Sequence, residues 1–243
     1  MIESDGRRLK WRLNWKLTLF SAIMVPVLIA LGFWQLRRAA EKTEVLAEIE
    51  KVRQLPPLEY SAGMQMAPWR HYLLRGEFEP KHYWLQEGKT YQGRVGYEVI
   101  VPFVASGQWF LVERGWVPAA ERREQLPDIE IPTGEVSIET IAIVTHPLRL
   151  IDESQNPVKG WPHRIVSIEP ELMAQQFGKT MQSPVLQLVE DDPLAYQITW
   201  APVNMPPARH IAYAAQWFAM AFTLCCLWLI ASSNILELFK TKK

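Results

Sequence analysis

The sequence predicts a membrane protein in which two transmembrane α-helices flank an extracytoplasmic, mainly antiparallel β domain, barrel-like or sandwich-like, with one or two short helices. Residues 17–36 and 211–236 contain no charged side chain, and each segment is long enough to cross a hydrocarbon core of about 30 Å. Between them, short runs of β-branched and aromatic residues alternate with turn signals. The mean hydropathy of -0.07 conceals this segregation.

The first predicted span, residues 17–36, follows a basic segment at residues 1–16. That segment resembles the basic region of a signal peptide, but the apolar run is long for such a peptide and no small-residue cleavage site precedes Arg37. We therefore expect an uncleaved membrane anchor. Pro26 is tolerated inside a transmembrane helix.

Charge at the two ends predicts the orientation. The 26 basic and 26 acidic residues cancel, which argues against a nucleic-acid partner because such proteins carry a basic excess. Residues 1–16 and the tail at 237–243 are both net basic. Basic flanks stay in the cytoplasm. Both termini are therefore predicted to be cytoplasmic, with the second span at 210–236 and the domain at 37–209 in the periplasm of a bacterium with an inner membrane.

The segment at 37–209 predicts a helical start followed by short strands. Residues 37–53 continue the first span as a polar helix that ends before Pro56-Pro57. A second helix, Glu169–Phe177, has Pro170 near its start and Gly178 just past its end. So many strands with so little helix favour an antiparallel barrel or sandwich. The predicted strands are Tyr72–Phe78, Tyr83–Gln86, Gly96–Val104, Trp109–Val117, Val136–Val144, His163–Ile168 and Pro184–Val189, with turns at Gly88, Ser106-Gly107, Thr133-Gly134 and Asn156-Pro157.

The domain carries no enzyme signature. The sequence lacks the nucleophile-elbow, zinc-protease, P-loop and dinucleotide-binding motifs, and its histidines form no i, i+4 pair. Paired carboxylates such as Glu77 and Glu79 are typical of a solvated face. The adjacent Cys225 and Cys226 point about 100° apart on a helix, so they make a poor metal chelate. We expect a protein without catalytic activity; a membrane-anchored periplasmic enzyme is the minor alternative.

Polar and aromatic residues meet at the outer ends of the two predicted spans. Aromatic anchoring at the membrane interface explains the tryptophans and the tyrosine, but not a histidine with two glutamines beside it. Imidazole is a common axial ligand of haem, and aromatic side chains suit its flat ring. From the residues alone, haem contact and an interface anchor with helix–helix hydrogen bonds both remain open. The residues are His210, Tyr213, Gln216 and Trp217 on the second span, and Trp34 and Gln35 on the first.

Four motifs follow one another along residues 32–218. They are Gly32-Phe33-Trp34-Gln35-Leu36 with Arg38 and Lys42; Gly96-Tyr97 with Pro102-Phe103; Arg114-Gly115-Trp116-Val117-Pro118; and Pro207 with His210, Tyr213-Ala214 and Gln216-Trp217-Phe218. In this order and with two spans they resemble the surfeit locus protein one family, the assembly factors of haem–copper cytochrome oxidase. The sequence departs from the family pattern at Val95, at Glu98 and across residues 156–164, which affects loop detail.

The resemblance implies a role in assembly of cytochrome c oxidase, namely help with insertion or retention of haem a in the catalytic subunit. It implies haem a as a transient cofactor, with His210 on the iron. The implied partners are the oxidase catalytic subunit, the haem a synthesis enzymes and the lipid bilayer. The alternative is a membrane scaffold or chaperone that stabilises oxidase subunits without haem. Trp34, Gln35, Tyr213, Gln216 and Trp217 would complete the cofactor site.

The third motif has two interpretations. Arg114, Gly115, Trp116 and Pro118 are predicted to bind a partner or to be structural. Arg114 and Trp116 are placed to pair with a haem propionate or to contact the oxidase. The alternative for Trp116 is packing between strands, and Gly115 is expected at a bend or bulge.

Overall fold

The chain forms two compact units in a computed structural model. One unit is Met1–Ala47 with Pro202–Lys243, and the other is Glu48–Ala201. Three predicted features fall outside the described residues: the chain before residue 10, the turn at Asn156-Pro157 and the tail at 237–243. The structure describes residues 10–122, 125–145, 160–199, 202–203 and 205–235.

Two long helices dominate the first unit. Helix α1, Trp15–Arg53, runs without a break through the first predicted span and its polar continuation, with Pro26 inside it. From Glu48 onward α1 belongs to the second unit. Helix α3 is Pro207–Ser232. Among the described residues, α1 and α3 are long and apolar enough to cross a membrane. This architecture agrees with the predicted pair of spans.

Small residues line the buried stripes of these helices. On α1, Ser21, Leu28 and Ala39 are less than 9% exposed, whereas Ile23 is 56% exposed. A Cβ added to Gly32 of α1 would lie 2.5 Å from the ring of Phe218 on α3. Small side chains allow close approach of membrane helices, where van der Waals packing rather than water exclusion drives association.

Direct side-chain contacts join α1 to α3. The rings of Phe33 and Phe218 meet edge to face with centroids 5.4 Å apart. Toward the other end of the pair, Trp228 Nε1 donates a hydrogen bond to Thr18 Oγ1 at 3.1 Å. The two contacts fix the antiparallel register of the helices.

Helix α3 ends at Ser232, before the uncharged run of the sequence ends. Ser233 is extended, with φ -143° and ψ 169°. Asn234 exchanges hydrogen bonds with Lys10: its side-chain oxygen accepts from the Lys10 backbone N–H at 2.7 Å. Serine and asparagine compete with helical hydrogen bonds in this way, so the helix stops where its side chains find partners in the N-terminal segment.

Among its described residues, the second unit contains eight strands and a short helix in addition to the end of α1. Each of the seven predicted strands has a counterpart, with shifted ends. The elements are β1 Leu58–Glu59, β2 His71–Phe78, β3 Trp84–Tyr91, β4 Arg94–Ala105, β5 Gln108–Pro118, β6 Glu135–Ile143, β7 His163–Ile165, α2 Pro170–Phe177 and β8 Val185–Leu188.

The structure corrects two details of the strand prediction. Gly88 does not end β3; it has φ 76° at a bulge between Gln86 and Lys89, and β3 continues to Tyr91. A glycine with positive φ suits a bulge as well as a turn, and the sequence does not distinguish the two. Strand β1 was not predicted because it has two exposed residues and pairs only with β2.

The sheet closes into a barrel. Its order is β1-β2-β6-β8-β5-β4-β3-β7, and β2 also pairs with β4. The long β4 pairs with β3 near its start, through Gln86 and Glu98, and with β2 near its end, through Phe78 and Phe103. This change of neighbour closes a ring of β2, β6, β8, β5 and β4. Three pairings are parallel, β1–β2, β3–β7 and β5–β8, so the sheet is mainly antiparallel.

Alternation along β4 separates two apolar clusters. Val99, Val101 and Phe103 point into the barrel, and Ile100 packs outside it. The outer cluster is covered by α2, whose Met173 is 1% exposed. Helix α2 has the predicted ends, with proline in its first turn and Gly178 in the left-handed region.

Two glutamates are buried on the outer face of the barrel wall, on the same side as Ile100. Glu98 of β4 is 2% exposed and Glu113 of β5 is 1% exposed. Glu98 pairs with Lys89 and accepts a hydrogen bond from Thr199 Oγ1 at 3.0 Å. Glu98 therefore has a cation and a hydroxyl to offset the cost of burying its charge.

Glu113 is less well compensated. Its Oε1 accepts a hydrogen bond from Gln187 Nε2 at 3.0 Å, and its buried Oε2 has no hydrogen-bond partner within the described ranges. Burial, and secondly the charge of Glu98, raise the pKa of Glu113 to about 8. Glu113 therefore carries a proton at neutral pH, which avoids two adjacent buried negative charges.

The first prediction concerns pH. Because the pKa of Glu113 is raised from 4.5 to about 8, the folded state binds more protons than the unfolded state between these values. Its contribution to stability is fully present below pH 4.5 and is lost as pH rises through 8. Glu113→Gln, which mimics the neutral acid, should remove this dependence, on the order of 5 kcal/mol.

The measurement is the thermal unfolding midpoint of the full chain in detergent from pH 5 to 8.5. Glu77→Gln is the matched control, because Glu77 is exposed on β2, and it should keep the slope of the parent. A parent profile without this fall, or an equal fall in Glu113→Gln, would contradict the assignment of a proton to Glu113.

Candidate functional site

The third motif forms a β-bulge. In the pairing of β4 with β5, Val99 lies opposite Gly115 and Ile100 lies opposite Glu113, so Arg114 is the extra residue. Gly115 has φ 104°, and a Cβ there would lie 2.9 Å from the carbonyl oxygen of Gln197. The expected bend or bulge at Gly115 is confirmed, and only glycine fits both the conformation and the close approach.

Arg114 is bound to the backbone of its own domain. Its Nε and Nη2 donate to the carbonyl of Leu194 at 3.0 and 2.9 Å, and its Nη1 donates to the carbonyl of Glu130 at 2.8 Å. The guanidinium also lies 4.7 Å from the ring centroid of Tyr196 and 5.5 Å from that of Phe78. Desolvation lowers the pKa of Arg114, but arginine stays charged in proteins.

The third motif contacts residues 194–199, which we call the return segment. From this segment the chain continues toward α3. Beside the bonds of the Arg114 side chain, the backbone N–H of Tyr196 donates to the Arg114 carbonyl at 2.6 Å. The backbone N–H of Trp116 donates to the carbonyl of Gln197 at 2.7 Å. The bulge therefore exposes backbone groups of β5 that the return segment pairs with.

Trp116 explains why the second and third motifs occur together. It is 7% exposed, and its ring lies 5.5 Å from that of Tyr91. A Cβ on Gly96 would lie 2.4 Å from the Trp116 ring, so the glycine of the second motif makes room for the tryptophan of the third. Pro118 ends β5 opposite Gly96 and is exposed.

These contacts favour the structural interpretation of Arg114, Gly115 and Trp116. The donors of the guanidinium are directed at carbonyl groups within the domain, and Trp116 is packed between strands. Exposed Pro118 is the member of the group that another molecule can reach. Binding of a partner or of a propionate by these residues stays a prediction.

The first and fourth motifs meet in the helical unit. His210 lies in the first turn of α3, which begins at Pro207, and its side chain is buried, with 8% of the residue exposed. Its Nδ1 is 2.7 Å from Oε1 of Gln35 on α1. The prediction that both residues lie at one depth is consistent with this hydrogen bond.

The partner of Nδ1 determines the state of Nε2. An amide oxygen only accepts hydrogen bonds, so Nδ1 carries the hydrogen, and a neutral imidazole has just one. In the neutral ring, Nε2 of His210 therefore carries a bare electron pair. It is buried and has no hydrogen-bond partner in the described part of the chain. An unmatched buried acceptor destabilises a protein and calls for an explanation.

The aromatic residues predicted around His210 do not pack onto it as a closed wall. Trp34 is 50% exposed and Tyr213 is 42% exposed, while Trp217 is half-buried and Gln216 is exposed. The buried stripe of α3 runs from His210 through Ala214 and Ala221 instead. The exposed faces of Trp34 and Tyr213 are free to contact lipid or an apolar ligand. Their role in cofactor binding stays a prediction.

A second histidine shows a related pattern. His71 Nδ1 lies 2.8 Å from Oε1 of Glu139, and its Nε2 is buried without a hydrogen-bond partner among described residues. The difference is the partner: Nδ1 of His71 faces a carboxylate, whereas Nδ1 of His210 faces the neutral amide of Gln35. His71 is therefore a suitable comparison for His210 rather than an equivalent site.

The donor set around His210 fits haem better than a bare metal ion. Across the residues that the structure describes, no group of three or more histidine, cysteine, aspartate or glutamate side chains converges on one point. A bare metal ion takes three or four protein ligands. Haem iron already has four nitrogen ligands in its ring plane and needs one or two axial ligands, and a single unmatched imidazole nitrogen meets this requirement.

The sequence indicated some of these residues and not others. The sequence marks Glu98 only as a departure from the family pattern, and it does not single out Lys89, Glu113 or Gln187. A usable signal existed: Glu113 is an acidic residue inside the apolar strand run Trp109–Val117. Its partners come from three other parts of the fold, so only the strand register brings them together.

The fold and the site together define a class of protein: a closed β domain joined in sequence to two helices that are long and apolar enough to cross a membrane, with a buried histidine held between those helices. The model of the SURF1 family matches residues 22–222. The chain belongs to the SURF1 family, which is generally linked to cytochrome oxidase assembly. The resemblance read from the four motifs is confirmed.

Individual relatives agree with the family match. The chain is 27% identical over 237 residues to a SURF1-like protein of Rickettsia felis, covering 91% of this chain and 99% of that protein. It is 26% identical over 200 residues to uncharacterised SURF1-like proteins of Mycobacterium tuberculosis and Mycobacterium bovis, covering 76% of this chain and 70% of each relative. The first alignment therefore covers most of this chain and nearly all of the relative.

The second prediction tests Arg114 as the clamp of the return segment. Arg114→Ala removes three charge-assisted hydrogen bonds to the carbonyls of Leu194 and Glu130, together with the packing of a buried side chain. Unfolding should therefore become easier by about 3–5 kcal/mol. Arg114→Lys should recover only part of this, because one ammonium group does not reproduce the geometry of the guanidinium.

Chemical unfolding of the full chain in detergent, followed by tryptophan fluorescence, measures the effect. Arg75→Ala is the control, since Arg75 is exposed on β2, and it should change stability by less than about 0.5 kcal/mol. The assignment of Arg114 as the residue that holds the return segment is wrong if Arg114→Ala is as stable as Arg75→Ala.

Proposed function

We propose that this chain is an assembly factor for haem–copper cytochrome c oxidase that assists insertion or retention of haem a in the catalytic subunit, and that it catalyses no reaction. Membership of the SURF1 family supports the first part. The observation that supports haem binding is the buried Nε2 of His210, which has an electron pair and no partner among the described residues.

The residues of the chain have distinct parts in this proposal. When bound, haem a would supply an iron that takes an imidazole ligand. His210 would hold the iron through Nε2, and Gln35 would hold the opposite side of the imidazole. Trp34, Tyr213 and Trp217 would offer aromatic surface to the haem, with Gln216 beside them. Attachment through one protein ligand keeps the affinity modest, as delivery to another protein requires.

The proposed location follows from the same helices. We place α1 and α3 in a bacterial inner membrane, with both termini cytoplasmic and the domain at 37–209 in the periplasm. The two apolar helices support insertion, and the basic ends support the orientation. The proposed partners are the catalytic subunit of the oxidase, the enzymes of haem a synthesis and the surrounding lipid.

A second candidate function is a membrane scaffold that stabilises oxidase subunits and does not bind haem. The hydrogen bond between His210 and Gln35 favours it, because that bond already joins α1 to α3. Hydrogen bonds between membrane helices contribute about 0.6–2 kcal/mol each. In this case the histidine serves the helix pair alone, and Nε2 stays without a ligand.

The third prediction separates the two functions. The full chain purified from cells that make haem a should carry haem, and His210→Ala should reduce the haem content at least tenfold, since the iron loses its protein ligand. The measurement is the visible absorption spectrum normalised to protein. His71→Gln is the control, because it removes the other histidine with an unmatched Nε2, and it should retain haem.

Three outcomes are informative. Equal haem in the parent and in His210→Ala contradicts the ligand assignment, and loss of haem in His71→Gln alone moves it to the β domain. Absence of haem from the parent, together with co-purification of the oxidase catalytic subunit, supports the scaffold and overturns the haem proposal.

A further inference from the structure

Gln35 is placed to act on the histidine rather than on a ligand. It is half-buried on α1, and its side-chain oxygen meets His210 Nδ1 at 2.7 Å. This contact lies on the side of the imidazole opposite Nε2. Whatever binds Nε2 therefore never touches the amide group of Gln35, yet the amide decides which nitrogen of the ring carries the hydrogen.

We infer that Gln35 is a positioning residue that holds His210 in the tautomer with hydrogen on Nδ1, so that Nε2 presents its electron pair to haem iron. This inference rests on the proposed function for its purpose, but the tautomer is a property of the protein without haem. A nitrogen that carries a hydrogen has no electron pair to bind a metal, so the other tautomer does not ligate through Nε2.

The alternative tautomer is disfavoured by the geometry. With hydrogen on Nε2, Nδ1 would become an acceptor facing the acceptor oxygen of Gln35, and two like dipoles would meet at 2.7 Å. The amide would have to turn over and offer its NH₂ group. The buried Nε2–H would then have no acceptor, because no described residue lies within hydrogen-bond distance of that atom. An unmatched donor at a buried site is destabilising.

The packing of the helices holds both partners in place. Ala214, one turn after His210, is 1% exposed, so α3 approaches its surroundings closely at this level. Phe218, two turns after His210, lies against Gly32 and Phe33 of α1. With the helices fixed in this way, the ring of His210 has little freedom to turn away from Gln35.

The same contact tunes the ligand. A hydrogen bond from Nδ1–H to a carbonyl acceptor fixes the orientation of a metal-binding imidazole and increases its basicity, and loss of such a contact typically weakens metal binding about 10–100-fold. Gln35 is thus expected to raise the affinity for haem without being a ligand, and its removal is expected to be milder than removal of His210.

The fourth prediction tests the tautomer directly in the full chain without haem. Nitrogen-15 labelling of the five histidines, with the chain in detergent, allows long-range nitrogen–proton NMR spectra that distinguish the two tautomers. His210→Gln assigns the signal. The parent should show His210 with hydrogen on Nδ1, and Gln35→Met, which keeps length and removes the acceptor, should shift the population toward hydrogen on Nε2.

Thr18→Val is the matched control for Gln35→Met. It removes the hydrogen bond from Trp228 at the other end of the same helix pair, so it tests for a general effect of weakening the pair. It should leave the tautomer of His210 unchanged. A parent with hydrogen on Nε2 overturns the inference even if Gln35→Met does not fold, and so does a tautomer that is the same in Gln35→Met and in the parent.

The haem measurement connects the inference to the proposed function. In haem-loaded protein, Gln35→Met should weaken haem retention about 10–100-fold, and Thr18→Val should not. If the parent binds no haem but shows the expected tautomers, the proposed function fails and the inference about Gln35 stands. If haem binding depends on His210 and Gln35→Met changes neither tautomer nor retention, the inference fails and the proposed function stands.

Discussion

A guanidinium buried in a protein is strongly destabilising unless its N–H groups find acceptors, and Arg114 meets this condition through backbone carbonyls of two separate segments. Leu194 and Glu130 are far apart in the sequence, so the side chain ties both to strand β5. The bulge at Gly115 lets the return segment come close enough for this contact. Gly96 then leaves room for Trp116 on the neighbouring strand. The second and third sequence motifs are thus parts of one packing arrangement.

Buried polar atoms with hydrogen-bond partners inside the protein have a structural role. Buried polar atoms without such partners need another explanation for their burial. The donors of Arg114 are directed at acceptors within the domain, whereas Glu113 Oε2 and His210 Nε2 have no hydrogen-bond partner in the part of the chain described. A proton removes the charge of the carboxyl group, because burial next to Glu98 raises the pKa of Glu113 to about 8. A proton does not explain His210, whose hydrogen is already directed at Gln35. The proposed function would supply a matched partner, namely a ligand that accepts an electron pair.

The sequence predicts the elements well and their neighbours less well. Hydrophobic runs and turn residues place α1, α3 and seven strands, because these signals are local. The sequence leaves a barrel and a sandwich as alternatives. Closure into a barrel requires β2 to pair with β4, and this pairing depends on a change of neighbour along one strand. For the site, equal depth in the membrane suggested that His210 and Gln35 meet. Helical spacing places His210, Tyr213 and Trp217 on one face of α3, but the buried stripe continues through Ala214, which leaves Tyr213 exposed.

On the proposed function, the arrangement at His210 would suit a protein that transfers a cofactor rather than keeps one. A resident haem is usually enclosed by the protein, with its ring removed from solvent and lipid. Here the imidazole is buried and held by Gln35, whereas Trp34 and Tyr213 are about half exposed. Firm placement of the ligand reduces the entropy lost on binding, and exposed aromatic neighbours limit the contacts that must break on release. On the proposed function, this combination would allow specific capture together with ready transfer to a partner.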